Sequence, residues 1–175
     1  MRDFSQDDFA LFGLRPAFAL DLADLDRAYR DLQGEIHPDR YAQAGEADQR
    51  LAMQWSTRAN EAYNTLKRPF ERARYLLNLQ GIDAMAPGTA PLPMAFLEQQ
   101  MLAREALAEA VAKADSTALD RLERDTRAEA GRLMDKVAEL IDIRRDYPAA
   151  ADVLRQYRFL EKFLADLGDA YEDLD

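Results

Sequence analysis

The sequence predicts an all-α protein built from two helical domains. Every long segment of the 175-residue chain repeats its apolar residues at the three- and four-residue spacings of a helix, and none alternates apolar and polar residues as a half-buried strand does. Proline and glycine concentrate in one stretch, residues 81–93 (GIDAMAPGTAPLP). We therefore expect helical domains over residues 1–80 and 95–175, joined by a linker over residues 81–94.

In the first domain, two long antiparallel helices are expected on either side of a polar loop. Asp21 is a suitable N-cap for the first helix. The apolar face of that helix consists of Leu25, Tyr29, Leu32 and Ile36. The second helix is expected over residues 45–66. Its inward face is expected to consist of Leu51, Trp55, Ala59, Ala62, Tyr63 and Leu66.

Short helices at both ends complete a four-helix unit. An apolar turn over residues 9–14 precedes the hairpin, and a helix that begins at Pro69 follows it. A proline is tolerated in the first turn, where its missing N–H has no helical partner. The apolar side of this last helix is expected to hold Tyr75, Leu76 and Leu79, with Gly81 as its C-cap.

The second domain is expected to be an antiparallel bundle of three helices. The first helix is predicted over residues 95–114, and Pro148 marks the first turn of the last one. The middle helix repeats apolar and small residues from Leu119 to Leu140. The last helix carries a heptad seam of Val153, Tyr157, Leu160, Leu164, Leu167, Tyr171 and Leu174.

Composition excludes several classes of function. The chain carries 23 basic and 33 acidic residues, a net charge of −10, so it is a poor general binder of nucleic acid. It has no cysteine, which excludes disulfides, thiolate metal sites and cysteine nucleophiles. No apolar run is long enough to span a membrane, and the first residues lack the features of a signal or transit peptide. We expect a cytoplasmic protein with no membrane or nucleic-acid partner.

The tripeptide His37-Pro38-Asp39 follows the first long helix and contains the only histidine of the chain. Pro38 lacks an N–H and biases His37 towards extended backbone, so the helix is expected to end here. The tripeptide then forms a polar loop that exposes an imidazole and a carboxylate. On these residues alone it is either a docking site or a helix stop in which Asp39 caps the following segment.

The sequence around the loop favours the docking site. A basic, tyrosine-bearing segment precedes it (27–30, RAYR), Arg40 follows it, and the second long helix ends in residues 60–66 (NEAYNTL). Together these elements resemble the J-domain family, the co-chaperones of seventy-kilodalton heat-shock chaperones. The resemblance implies that the loop and the basic residues before it contact the chaperone and stimulate its ATP hydrolysis.

The resemblance narrows to one type of J-protein. No glycine/phenylalanine-rich tract and no cysteine-rich zinc module follows residues 1–80. The segments 9–14 (FALFGL), 75–81 (YLLNLQG) and 158–162 (RFLEK) resemble the HscB type, the J-protein dedicated to iron–sulfur cluster assembly. This implies an HscA-type chaperone as the partner of the J-domain and the iron–sulfur cluster scaffold protein as the partner of the bundle. The protein is then a non-enzymatic adaptor with no cofactor or metal ion of its own.

Carried over to this sequence, the resemblance assigns the chaperone contact to six residues. The trigger of ATP hydrolysis is His37, Pro38 and Asp39, and the electrostatic contacts are Arg27, Arg30 and Arg40. The chain departs from many J-domains at Gly34 and Glu35, where basic residues are usual. This thinner basic patch indicates a specialised chaperone partner.

A stripe on the first bundle helix lies away from the predicted core. The core arc of this helix is expected to centre on Phe96, Ala103, Leu107 and Ala110. At about 100° per residue, Leu97 lies about 100° and Met101 about 140° from Phe96, and two glutamates continue the stripe. Phe159 of the last helix lies about 100° from the seam. From geometry alone, the stripe is either a docking surface or a set of ordinary surface residues.

The HscB resemblance favours the docking surface. The scaffold-binding patch of that family combines apolar residues and glutamates of the first bundle helix with an aromatic residue of the last. The matching positions here are Leu97, Met101, Glu105, Glu109 and Phe159. Two positions depart from the family, because Glu98 replaces a typically apolar residue and Leu102 a typically acidic one.

Two alternative functions remain open from the sequence. The first is a J-domain co-chaperone of a general heat-shock chaperone that acts on unfolded clients, against which the missing glycine/phenylalanine-rich tract argues. The second is an enzyme that uses His37 and Asp39 as an acid–base pair or as metal ligands. A metal site needs three or four convergent ligands, and no phosphate-binding glycine loop or nucleophile elbow is present.

Overall fold

The computed structural model describes residues 6–172, and this part of the chain consists of helices joined by turns and irregular segments, with no strand. Its α-helices are α1 (Asp8–Leu11), α2 (Leu22–Ile36), α3 (Glu46–Lys67), α4 (Pro69–Leu79), α5 (Met94–Ala112), α6 (Ser116–Ala138) and α7 (Tyr147–Glu172). A 3-10 turn (Pro38–Tyr41) lies between α2 and α3, and a π-helical segment (Glu139–Arg144) continues α6. The all-α prediction is confirmed.

The chain divides into two compact units after Leu76, inside α4. The sequence placed the end of the first domain at residue 80, one residue beyond α4. Residues 80–93 form turns and irregular backbone. Gly81 has φ +76° and ends α4, because its N–H bonds the carbonyl of Asn78 and the following N–H bonds that of Leu77. The division of the chain into a J-domain, a linker and a scaffold-binding bundle stays a prediction.

In the first unit, α2 and α3 form an antiparallel hairpin. Asp21 caps α2 as predicted, since its side chain accepts a hydrogen bond at 2.8 Å from an N–H of the first turn. Asp26, early in α2, accepts a hydrogen bond from Tyr63 of α3. Gln33, later in α2, donates one to Asn60, which precedes Tyr63 in α3. The hairpin buries Leu25, Leu32, Ile36, Ala52, Trp55, Ala59, Ala62 and Leu66.

Two leucines that the periodicity placed inward are exposed instead. Leu51 is 45% exposed, and the small Ala52 beside it is buried. Leu51 lies about 60° from the centre of the buried stripe of α3, so it falls at the edge of that stripe. Leu79 is 42% exposed because the buried stripe of α4 includes Ala73 and Leu77, which lie on the other side of the helix.

In the second unit, α5 and α7 run parallel to each other. α6, which lies between them in the sequence, runs in the opposite direction. Phe96 of α5 contacts Phe159 of α7, and Arg104 pairs with Asp166 further along both helices. The core contains a cluster of Ala110, Leu119, Phe163, Leu167 and Ala170. The predicted three-helix bundle is confirmed, and the seam residue Leu174 lies outside the described residues.

The start of α6 is joined to the end of α7 by a side-chain hydrogen bond. Tyr171 donates its hydroxyl to a carboxylate oxygen of Asp120 at 2.7 Å. This bond favours the protonated phenol and raises the pKa of Tyr171 to about 12. The position of this contact is that expected of an antiparallel pair of helices.

Candidate partner-binding surfaces

The His37-Pro38-Asp39 tripeptide lies between the end of α2 and the 3-10 turn. α2 ends at Ile36, and His37 has φ −58° and ψ 129°, the extended geometry expected before a proline. The Nδ1 atom of His37 accepts a hydrogen bond from the backbone N–H of Asp39 at 3.3 Å. The two side chains are 52% and 91% exposed. The loop presents an imidazole and a carboxylate to solvent, as predicted.

Arg40 and Tyr41 fasten this loop to the end of α2. Arg40 Nη1 donates a hydrogen bond to the carbonyl oxygen of Gly34, and the Tyr41 hydroxyl donates one to that of Glu35 at 3.3 Å. The last carbonyls of a helix have no partner within the helix, so these side chains complete the C-terminus of α2. From the sequence and the family resemblance, Arg40 was expected only to contact a partner. The role of Tyr41 at the end of α2 was not predicted.

The three basic residues assigned to the chaperone contact differ in their surroundings. Arg27 forms an exposed ion pair with Asp24 at 3.0 Å, and Arg40 donates a hydrogen bond to the carbonyl oxygen of Gly34. Arg30 is exposed and has no ion-pair or hydrogen-bond partner within residues 6–172. Of the three cations, Arg30 is therefore the most accessible to a partner.

Asn60 and Tyr63 join the two helices of the hairpin. Asn60 Oδ1 accepts hydrogen bonds from the Tyr29 hydroxyl at 2.6 Å and from Gln33 Nε2 at 2.8 Å. The ring of Tyr63 stacks on that of Tyr29 with centroids 4.2 Å apart, and its hydroxyl donates to Asp26 at 2.7 Å. Tyr63 was predicted to face inward from periodicity, whereas Asn60 entered the sequence analysis only through the family resemblance. The structure gives them a physical role, which is to hold α2, and the loop at its end, against α3.

In the second unit, the predicted stripe of α5 lies at the surface. Met101 is 63% exposed, Glu105 and Glu109 are exposed, and Leu97 is half-buried. Lys113 pairs with Glu109 at 2.5 Å and lowers the pKa of that carboxyl below its ordinary value. The stripe therefore combines apolar side chains with acidic ones.

Two further apolar side chains of α5 are exposed. Leu102, one of the departures from the family pattern, is beside Met101 in sequence, and Met94 lies in the first turn. Met94 falls within about 60° of Leu97 and about 20° of Met101 around the helix, so it extends the stripe towards the start of α5. Sequence reasoning missed Met94, although the same angular argument places it on the stripe.

Phe159 of α7 lies against α5 beside this stripe. Its ring meets the ring of Phe96 edge-on at 5.8 Å, and the Arg104 guanidinium lies 5.7 Å from its centroid. Arg104 lies about 80° from Phe96 around α5, on the side of Leu97. The structure thus brings Phe159 to the border of the stripe. Sequence reasoning missed Arg104, which also pairs with Asp166 at 3.0 Å.

Comparison with known proteins identifies the family. The chain is 46% identical to the co-chaperone protein HscB homolog of Paraburkholderia phymatum, over 100% of this chain and 99% of that protein. It belongs to the HscB family of co-chaperones. The family model described as the HSCB C-terminal oligomerisation domain matches residues 92–168. The resemblance inferred from the sequence is confirmed.

Solved structures of the HscB family share this fold. The chaperone HscB from Vibrio cholerae matches with a TM-score of 0.82 and 34% identity, covering 97% of this chain and 100% of that one. Human co-chaperone HscB matches with a TM-score of 0.87 and 28% identity, covering 95% of this chain and 83% of that one. The family is thus shown by sequence and by fold, whereas the roles of the loop and the stripe stay predictions.

Two negative findings apply to the described part of this HscB-family chain. Residues 6–172 contain no group of three or more histidine, aspartate or glutamate side chains placed to hold a metal ion. Over the same residues, no helix is both long enough and apolar enough to cross a membrane. In the loop, the Nδ1 atom of His37 lies 3.5 Å from a carboxylate oxygen of Asp39.

Proposed function

We propose that this protein is a two-ended adaptor of iron–sulfur cluster assembly. Its first unit stimulates the ATPase of an HscA-type heat-shock chaperone, and its second unit delivers the cluster scaffold protein to that chaperone. The observation that carries the proposal is the pair of exposed surfaces on separate units, the loop at His37 and the stripe of α5. A protein with two such surfaces can hold two partners at once and raise the effective concentration of one near the other.

The first unit is suited to trigger a partner rather than to perform chemistry. His37 and Asp39 are exposed, so they can reach a groove of the chaperone without movement of the hairpin. Arg30 adds an accessible positive charge on the preceding helix, and such a charge accelerates association with an acidic surface. ATP hydrolysis itself then takes place in the chaperone.

The second unit offers an apolar centre with charged surroundings. Met101 and Leu97 supply exposed apolar area next to the half-buried ring of Phe159. Glu105 and Glu109 continue the stripe, so the partner surface needs apolar side chains bordered by basic ones. The scaffold protein is the partner that the family assigns to these positions.

The test is the steady-state ATPase of an HscA-type chaperone, measured with and without this protein and the scaffold, together with direct binding of the scaffold. His37→Gln should abolish the stimulation and leave scaffold binding unchanged. Leu97→Ala combined with Met101→Ala should weaken scaffold binding and leave the stimulation by the protein alone unchanged. The control is Met53→Ala on α3, an equally exposed methionine of the first unit, which should change neither. If both test variants stay folded and lose both activities, the adaptor scheme is wrong.

A further inference from the structure

A groove of the second unit lies between residues 85–92 and one face of α7. Its volume is about 840 Å³. Pro91 and Leu92 line one side, and Phe159 and Ala165 belong to the α7 side. A space of this size suits a few residues of extended chain better than a whole helix, whose diameter with side chains is about 10–12 Å.

The groove carries the opposite charge to the half of the chain that contains it. Residues 81–175 hold 12 basic and 20 acidic residues, a net charge of −8. The lining of the groove has three basic residues, Arg155, Arg158 and Lys162, and one acidic residue, Glu161. An acidic ligand is therefore attracted to this face and repelled by most of the remaining surface.

One of the three cations that line the groove remains available to such a ligand. Lys162 is exposed and has no ion-pair partner within the described residues. Arg155 pairs with Asp152 at 2.7 Å, and Arg158 pairs with Glu161. A carboxylate bound at the mouth of the groove can accept hydrogen bonds from Lys162 without displacing an internal pair.

Phe159 connects the groove to the stripe of α5. One side of its ring contacts Phe96 and Arg104, and the residue also lines the groove. We propose that the groove is a second contact area for the scaffold protein and that it holds an extended acidic segment of that partner. The inference rests on the proposed function. It implies that the partner meets carboxylates on the α5 side of Phe159 and cations on the groove side, which fixes its orientation.

Charge reversal at Lys162 tests this inference with purified scaffold protein and the 175-residue chain. Lys162→Glu should weaken scaffold binding by about tenfold and reduce its dependence on salt. Lys136→Glu makes the same change of charge at an exposed position of α6 and should stay within about twofold of the original affinity. Equal losses in both variants, or no loss in either, would overturn the groove assignment.

The same measurements separate this inference from the proposed function. If the unmodified chain does not bind the scaffold, both fail. If Met101→Ala weakens binding and Lys162→Glu does not, the groove assignment alone fails.

Because the chain has no cysteine, Ala165→Cys gives a single attachment point for a photo-crosslinker inside the groove. A crosslinked scaffold peptide rich in aspartate and glutamate is the expected product. A crosslink to a basic segment, or no crosslink where the same label on Leu97→Cys gives one, contradicts the inference.

Discussion

The guanidinium of Arg40 donates a hydrogen bond to the carbonyl oxygen of Gly34, so the residue after the His-Pro-Asp tripeptide ties the loop back to the helix before it. The family resemblance assigns Arg40 to the chaperone contact, which stays a prediction. The structure adds that its side chain completes the end of α2, and a residue in that position orients the loop whether or not it touches a partner.

Replacement of Arg40 and of Arg30 should therefore have different effects. Arg40→Met should lower the stability of the first unit by about 1 kcal/mol and reduce the maximal ATPase stimulation, because the loop loses its attachment. Arg30→Met should leave stability unchanged and raise only the concentration needed for half-maximal stimulation. Thermal unfolding and ATPase titrations measure both. If both variants change stability and ATPase stimulation in the same way, Arg40 does not position the loop.

Asn60 should contribute strongly to the hairpin because its side-chain oxygen accepts two hydrogen bonds from α2. Asn60→Ala leaves both donors without this acceptor and should destabilise the first unit by about 1–2 kcal/mol. Asn64→Ala is the matched control, one turn further along α3 at an exposed position. Urea unfolding followed by the fluorescence of Trp55, the only tryptophan, reports the unit that contains both. A control that loses as much stability would contradict the assignment.

The fold could be predicted because helices leave a periodic record in the sequence. Asp21 as a cap, Pro69 at a helix start and Gly81 past a helix end are local signals, and the structure confirms all three. The burial of the small Ala52 in place of its neighbour Leu51 could not be predicted. Periodicity gives the direction of a buried stripe, whereas packing against the neighbouring helix decides which residues at its edge are buried.

The exposure of a surface residue could be predicted only where the local sequence determines it. Exposure of Met101 follows from its angle on α5, and exposure of the His37 loop follows from Pro38. The contact of Arg104 with Phe159 joins residues more than fifty positions apart, and that of Arg40 with Gly34 requires the chain to fold back. Contacts of this kind depend on tertiary geometry, which no local pattern records.

The ion pair of Asp8 and Arg58 should be important for the attachment of α1 to α3. Its atoms are 2.6 Å apart, and the aspartate side chain is only 7% exposed. Asp8→Ala removes the ion-pair partner of Arg58, which retains a hydrogen bond to the Gln6 carbonyl, and should cost about 2 kcal/mol. Glu46→Ala breaks the exposed pair with Arg50 on the same helix and should cost less than about 1 kcal/mol. Urea unfolding followed by Trp55 fluorescence measures the loss of stability in both variants. Similar losses would contradict the expectation that the buried pair contributes more than the exposed one.

Glu109 should titrate below the ordinary range of a glutamate, because Lys113 donates a hydrogen bond to it and carries the opposite charge. A lowered folded-state pKa means that the pair contributes stability above the unfolded pKa and loses it as the pH falls through the folded value. Lys113→Gln should move the pKa of Glu109 back up towards the ordinary value of 4.5. Carboxyl-detected NMR titration of both proteins measures this, and an unchanged midpoint would contradict the pairing.

Phe159 and Phe163 should separate recognition from core stability, because they lie one turn apart on α7 and receive the same substitution. Phe163 is 1% exposed within the bundle core, so Phe163→Ala should cost about 3–5 kcal/mol in unfolding free energy. Phe159→Ala removes a half-buried ring that contacts Phe96 and Arg104 and should cost about 1–2 kcal/mol.

Scaffold affinity should follow the opposite order at temperatures where both variants are folded. Calorimetric titration should show about a tenfold loss for Phe159→Ala. Phe163→Ala should bind almost normally, because its side chain is enclosed by the bundle and offers no surface to a partner. If affinity falls in proportion to stability in both variants, Phe159 acts only through the bundle, and the border between the α5 stripe and the groove is not a binding surface.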